Sequence, residues 1–432
     1  MNLRSPAFAI LFAVSLIAAA GNMALQSVLP AIGREFGLRD TLVSAAFAIS
    51  ALMWTLTSPY WARLSDRLGR KKVIMIGLGG FVASIGGFGL ATTAGLQLWL
   101  GPLTAFVLMA VARTIYGVFG SASPIAAQAY VADRTSPEQR TQAMSLLASA
   151  QGLGTVLGPT FAPLLVLPLV GLAGPMYAFA LFAAAVLWVV WRRLPSGEVV
   201  RIPSPSGRRE AGKGLWKDRR VRDYLLFGLL VTGSQAINIS VLGFHVIDVI
   251  AQPGSGPEAA LPFISIAMFA GAAATLMAQW GLIPLLKLQP ADLMRWGAGL
   301  ALAGNLLTVF APGYYGVVIG YAVVSMGVGF ARPGFTAGSS LEVGPNEQGA
   351  VAGLMMSLAG LSFLVPPVVG VALYELAEPA PFIANALLLT GAIALCFSSV
   401  RLRRGPPDLP DRDETPSPET PPASQPGPEG GR

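Results

Sequence analysis

A chain of 432 residues that is 53% hydrophobic and only 12% charged cannot clothe a water-soluble core, because soluble domains carry about twice that share of charge. The net charge of +7 is spread over separate loops instead of one surface, which excludes a nucleic-acid binder steered by a basic patch. One cysteine, Cys396, and one histidine, His245, exclude an intrachain disulfide and a His-rich metal site. No cofactor is expected, and Cys396 reads as a small packing residue.

A helix that crosses a bilayer needs roughly 20 mostly uncharged residues, and about twelve stretches of the chain qualify. The first six are predicted near 7–29, 41–61, 73–91, 98–131, 143–167 and 175–190. The second six are predicted near 224–249, 260–286, 293–311, 314–339, 350–376 and 381–400. Arg4, the apolar run after it and Ala18-Ala19-Ala20 resemble a secretory leader. That run exceeds a usual leader and many spans follow it, so it reads as span one. Gly and Pro are abundant, at 50 and 34 residues, as membrane helices allow.

Basic residues recur in alternate loops. They occur at Arg63, Arg67, Arg70, Lys71 and Lys72, at Arg134 and Arg140, from Arg192 to Arg222, at Lys287 and Arg295, and at Arg401, Arg403 and Arg404. The loops between them are balanced or acidic: Arg34 and Arg39 face Glu35 and Asp40, and Asp248, Glu258, Glu375 and Glu378 lie in the others. Positive loops stay inside, which predicts both termini in the cytoplasm and a bacterial-type inner membrane.

The longest polar interruption includes Pro203-Ser204-Pro205-Ser206-Gly207 and an Arg/Lys cluster. It predicts a flexible linker at 194–222 between a first unit, 1–193, and a second, 223–404. The Pro/Asp/Glu-rich segment 405–432 is predicted to be disordered. A shift of 208 residues carries Pro137, Leu146, Ser149, Gly152, Leu153 and Pro159 onto Pro345, Leu354, Ser357, Gly360, Leu361 and Pro367. Each unit has an even number of spans, so the repeats enter the membrane in parallel. That is the pattern of a pseudo-two-fold transporter with its site near the midplane.

The loop between spans two and three reads Ala62-Arg63-Leu64-Ser65-Asp66-Arg67-Leu68-Gly69-Arg70-Lys71-Lys72. It strongly resembles the signature loop of the major facilitator superfamily, with Ala62 standing where a Gly is usual. The resemblance implies an all-α membrane protein with the major facilitator fold, twelve transmembrane helices in two pseudo-symmetric six-helix bundles. It also implies a cytoplasmic gate of Asp66, Arg67, Gly69, Arg70 and Asp133. Gly69 permits a tight turn, Asp66 can face the positive end of another helix, and Arg70 can pair with Asp133. The matching loop of the second unit keeps Lys287 and Arg295 without the Asp-Arg-x-Gly pattern.

In span four, Arg113 precedes Tyr116, Gly117 and Gly120. Its position resembles the span-four arginine of proton-coupled exporters, while an interfacial, snorkelling role is the simpler alternative. Gly154, Gly158 and Pro159 resemble the antiporter motif of drug/proton exporters, although Ser145, Ala162 and Pro163 replace usual glycines. Small-residue packing with a proline kink explains the same residues. Arg332-Pro333-Gly334 places a second arginine inside span ten. It is expected either to face the cavity or to be neutralised by helix carbonyls or Glu342. Asn22, Gln26, Gln128, Gln151, Gln235 and Asn238 are candidate cavity amides; Gln279, Asn305 and Asn385 are further polar residues in spans. Met53, Trp54, Phe269 and Phe335 read first as lipid-facing or core residues, with an adaptable apolar cavity wall as the alternative.

Span one carries no carboxylate at mid-depth. Proton coupling would therefore use Asp133, Glu342, Asp248, Glu375 or His245, all near helix ends. The expected activity is proton-coupled efflux of a small organic molecule, resembling the twelve-span drug/proton antiporters of the tetracycline type. The two arginines favour an anionic or zwitterionic substrate. Expected partners are that substrate, protons and the lipid bilayer, with no nucleic acid and a monomeric chain. An importer or uniporter of an organic anion, and a transport-inactive membrane receptor, stay open. No nucleophile–base, metal or phosphate-loop constellation points to an enzyme.

Overall fold

The computed structural model describes residues 5–135, 137–195, 218–252, 256–311, 313–344, 347–399 and 402. The disordered tail expected at 405–432, and most of the linker at 194–222, lie outside them. Helices dominate. Spans one to four are Pro6–Glu35, Asp40–Leu68, Arg70–Leu96, and the pair Pro102–Phe119 and Ala122–Arg134. Span five is Pro137–Phe161 and span six is Gly174–Arg193. Span seven is Arg219–Ile250, and span eight begins with Leu261–Leu276. Spans nine and ten are Pro290–Phe310 and Tyr314–Leu341. Span eleven is the pair Gln348–Ser362 and Pro366–Leu376, and span twelve is Ala380–Ser398.

Among the described residues, eleven helical segments are long and apolar enough to cross a membrane. The fifth span, 25 residues long, is the more polar one, with Gln142, Ser145, Ser149 and Gln151 along it. Several helices run past the apolar limits read from sequence, since a helix continues until a cap or breaker stops it. Span one starts on Pro6, with the Ser5 hydroxyl accepting from the Phe8 amide at 3.3 Å, a standard N-cap. Spans two and three are separated by Gly69 alone, whose φ of +90° reverses the chain. Only glycine adopts that conformation without strain.

Three spans are interrupted. Span four breaks at Gly120-Ser121, a small-residue kink. Span eleven breaks before Pro366-Pro367, which cannot continue the amide ladder. Span eight passes through a π-helical segment, Met277–Leu282, into Ile283–Leu286 and ends at left-handed Lys287. Pro284 lacks an amide hydrogen, and wider i→i+5 turns are a common response at such points.

Spans one to six pack together, as do spans seven to twelve, and the two bundles meet where span two runs beside eleven and span five beside eight. In lipid, helices associate through close packing. Spans one and five touch backbone to backbone: a β-carbon on Gly154 or Gly158 would strike the carbonyl oxygen of Leu16 or Ala20. Spans nine and ten do the same at Gly297 and Gly327. Gly158→Leu is therefore expected to destabilise the first bundle by more than the about 1–3 kcal/mol usual for overpacking. A melting curve in detergent, with Gly152→Leu as the open-space control, checks this.

Candidate functional site

Three polar clusters stand out among the described residues, at different depths. The first lies at the end of the bundles that carries the basic loops. Arg70 begins span three, and its Nε donates to Asp133 Oδ2 at 2.9 Å, while Nη1 donates to Ser65 Oγ at 3.0 Å and pairs with Asp66 at 2.5 Å. One guanidinium thus ties the ends of spans two, three and four. Asp66 is 59% exposed and its ion partner is Arg70, so among the described residues it reaches the first residue of span three and no helix of the other bundle. Arg67 is exposed and makes no ion pair among the described residues. Lys71 donates to the Trp191 carbonyl at 2.9 Å, fixing span six to the same turn. In the second bundle, Arg220 joins Asp218 and Glu347 at 2.8 and 3.1 Å.

The second cluster is at mid-depth in the first bundle. Arg113 is only 5% exposed, so it does not snorkel to the interface. Its Nη2 donates to Asn22 Oδ1 at 2.5 Å, and its Cζ lies over the rings of Phe47 and Tyr116, 4.3 and 4.5 Å from their centroids. Trp54 and Phe81 flank Tyr116 at 5.4 and 5.7 Å. Arg113 Nε is buried with no acceptor, and so is Gln26 Oε1 without a donor, one helical turn beyond Asn22. No described carboxylate neutralises Arg113. An unpaired buried charge costs several kcal/mol. Each ring face offsets about 0.5–2 kcal/mol, and the Asn22 bond about 1.5–3 kcal/mol.

Among the other candidates, Gln128, Gln151 and Gln235 are half-buried, and no described hydrogen bond joins them to Arg113. Asn238 is buried and its Nδ2 donates to the Ser234 carbonyl of its own helix at 3.1 Å. Asn385 donates to Asn305 at 3.3 Å in the core of the second bundle, which makes that pair helix-to-helix glue. Gly154 and Gly158 are buried against the backbone of span one, and Pro159 beside them is buried too. Phe335 is buried beside Phe227 at 6.2 Å, whereas Phe269 is exposed.

Arg332 is exposed and no described carboxylate pairs with it. Glu342, the neutralising partner open from the sequence, instead lies 3.5 Å from the Tyr224 hydroxyl. Span ten packs on span nine through Gly327, Ala331 and Gly334. At 100° per residue, Arg332 projects away from that face. Thr336 Oγ1 donates to the Arg332 carbonyl at 2.8 Å beside the Pro333 interruption.

The third cluster joins the bundles at the end away from the basic loops, and sequence reasoning missed it as a unit. Arg34 donates to Asp40 at 2.7 and 2.6 Å and to Asp248 at 2.9 and 3.1 Å. Tyr374 donates to Asp248 Oδ2 at 2.7 Å, and His245 Nδ1 lies 3.3 Å from the Tyr374 oxygen. Tyr374 has spent its only proton on Asp248, so His245 must donate through Nδ1. Glu375 accepts from the Thr41 amide at 2.8 Å and from its hydroxyl at 2.5 Å. A carboxylate from the second bundle thereby caps the start of span two, where orphan amides and the helix dipole favour an anion. The available signal was the charge balance in three loops far apart in sequence.

Two six-helix bundles, joined along spans two–eleven and five–eight, with the signature turn built around Arg70, agree with the comparison to known families. The profile of the Major Facilitator Superfamily matches residues 11–365. The chain belongs to that superfamily. It is 25% identical over 389 residues to the class B tetracycline resistance protein of Escherichia coli, covering 85% of this chain and 88% of that one. It is also 25% identical over 403 residues to multidrug resistance protein 2 of Bacillus subtilis strain 168, covering 90% and 94%. A crystal structure of a mutant of the nucleoside transporter NupG has the same fold, with a TM-score of 0.68 at 13% identity over 90% of this chain and 98% of that one. This superfamily member is therefore a multi-pass membrane transporter and no enzyme, related to drug and tetracycline efflux proteins.

Proposed function

We propose that the chain is a secondary active exporter that moves a small organic molecule by alternating access, driven by protons. The basic loops and both termini face the cytoplasm of a bacterial-type inner membrane, 194–222 links the bundles, and the chain acts as a monomer. The observation that carries this reading is the unequal treatment of the two ends. Arg34, Asp248, Thr41 and Glu375 bind bundle to bundle at one end, whereas among the described residues Arg70, Asp66 and Asp133 bind within one bundle at the other. An asymmetry of that kind fits a rocker in the state open to the basic-loop side.

Asp66, Arg67, Gly69, Arg70 and Asp133 form the cytoplasmic gate. Arg113, Arg332, Asn22, Gln26, Gln128, Gln151, Gln235 and Asn238 serve the cavity or its coupling. Gly154, Gly158 and Pro159 provide the hinge surface between spans one and five. Protons use the carboxylates and histidine near helix ends, namely Asp133, Glu342, Asp248, Glu375 and His245. The printed names of the relatives, tetracycline and multidrug resistance proteins, support export. A second reading, import or uniport of an organic anion anchored at Arg332, is favoured by the lack of a described carboxylate beside that residue.

Inverted membrane vesicles energised with a pH gradient test the choice. Export predicts accumulation of substrate inside the vesicles that collapses with the gradient. Flux indifferent to the gradient rejects proton coupling, and flux only down the substrate's own gradient selects the uniporter. Arg332→Ala is expected to lower flux of anionic substrates at least fivefold more than that of neutral ones. An equal loss across both would remove Arg332 as a charge selector.

A further inference from the structure

We propose that the Arg113 cluster is a docking point for the carboxylate of a planar aromatic acid. The proposal names the substrate class of the cavity and rests on the transport reading for its physiological meaning, although the site stands on its own geometry. Arg113 carries its charge at mid-depth, where helix Pro102–Phe119 has run eleven residues from its start. At 1.5 Å per residue that is about 16 Å, near the centre of a hydrocarbon core. A cation held there without a described counter-charge favours a ligand that brings one.

The directions of approach narrow the ligand. The Arg113 Cζ lies over the Phe47 and Tyr116 rings, 4.3 and 4.5 Å from their centroids, which leaves the hydrogen-bonding edge of Nε and Nη2 to a ligand. Along that edge Nη2 already donates to Asn22 Oδ1, and Nε is buried with no acceptor. A guanidinium has donors and no acceptor, so the Asn22 oxygen, not its nitrogen, faces it. That neutral oxygen occupies the position of one oxygen of a bidentate carboxylate, and Nε is ready for the other. Asn22 is half-exposed on span one, so it can swing aside. Trp54, also half-buried, lies tilted against Tyr116 with ring centroids 5.4 Å apart, and with Phe47 it offers aromatic walls to a flat apolar body. A phosphate monoester would bring a second negative charge that a single guanidinium does not balance.

Asn22 is then the specificity-determining residue. It keeps the guanidinium oriented when the site is empty and yields to a stronger acceptor. An aspartate there would be a permanent resident ligand.

The test is equilibrium dialysis of radiolabelled 2-naphthoate against the purified full chain in nanodiscs, with 2-naphthamide as the neutral isostere. Naphthoate should bind, and naphthamide should compete at least tenfold more weakly. Arg113→Gln should weaken naphthoate binding at least tenfold. Asn22→Asp should do the same while raising the melting temperature, because it supplies the missing counter-charge; this variant keeps the test valid if Arg113→Gln fails to fold. Equal competition by acid and amide, absence of naphthoate binding to folded wild type, or undiminished binding in Asn22→Asp would overturn the proposal. Vesicle flux separates it from the transport reading. Energised flux of a non-acidic compound without naphthoate binding refutes the acid site alone. Binding without flux of any compound refutes transport alone.

Discussion

Arg34→Ala is expected to release the end of the protein that this structure holds closed. Arg34 bonds Asp40 and Asp248 through four hydrogen bonds between 2.6 and 3.1 Å. Asp40 sits with Arg34 on the first bundle, and Asp248 belongs to the second. When this end opens, the Arg34–Asp40 pair can travel together, but Asp248 loses its cation and keeps only Tyr374. The bond to Asp248 is therefore specific to the closed arrangement, which is what a latch requires. Removing one partner of a buried pair costs about 3–5 kcal/mol. Arg34 and Asp248 are 30% and 28% exposed, and solvent screening lowers that to about 1–3 kcal/mol. At 1.4 kcal/mol per factor of ten, closed and open populations should shift by about five- to a hundredfold.

The readout is labelling of a cysteine placed at Leu38, in the loop beside the latch, with the single native Cys396 replaced by serine. The labelling rate should rise in Arg34→Ala and in Asp248→Ala. The double variant should rise no further than the larger single effect, because both remove the same Arg34–Asp248 contact. Glu375→Ala should add to either, since the Thr41 cap is a separate contact. Unchanged labelling in both single variants would mean that the cluster does not govern closure.

The sequence made the helices legible because lipid imposes a simple rule. Every backbone group must be bonded within its helix, so apolar length alone marks a span. Loop charges and the Asp66–Arg70 turn were equally readable, since both depend on neighbours in the chain. The latch was not. Arg34 and Asp248 are 214 positions apart, and each has a local explanation as an interfacial charge. The environment of Arg113 was half legible. An arginine in span four announced a cost, but whether it snorkels or is buried depends on Phe47, Tyr116 and Asn22, which come from three different helices. Gly154 and Gly158 carry two readings at once. Their motif invites a functional reading, and the backbone of span one pressed against them independently requires glycine.

Asp66→Asn is expected to abolish transport while leaving the protein folded and inserted. In the present arrangement Asp66 is exposed, and its pair with Arg70 is an i,i+4 contact at 2.5 Å between 59% and 19% exposed side chains. Such pairs contribute about 0–1 kcal/mol, and Arg70 would keep Asp133 at 2.9 Å. Loss of Asp66 should therefore lower the melting temperature by no more than about 2–4 °C. Its proposed work lies in the other state. When the basic-loop end closes, an exposed carboxylate at the close of span two is available to the start of a helix across the seam, as Glu375 already is to the start of span two at the far end. Asparagine can still accept a hydrogen bond there but brings no charge to the helix dipole. Flux in energised vesicles should fall at least tenfold. Labelling at Leu38 should be slower than in wild type, because the cycle is held in the state closed at that end. Asp133→Asn is the contrasting variant. It loosens Arg70 without removing the mobile carboxylate, so a partial flux defect is expected. Wild-type flux in Asp66→Asn would remove the gate, whereas lost flux with a large drop in melting temperature would assign Asp66 to stability.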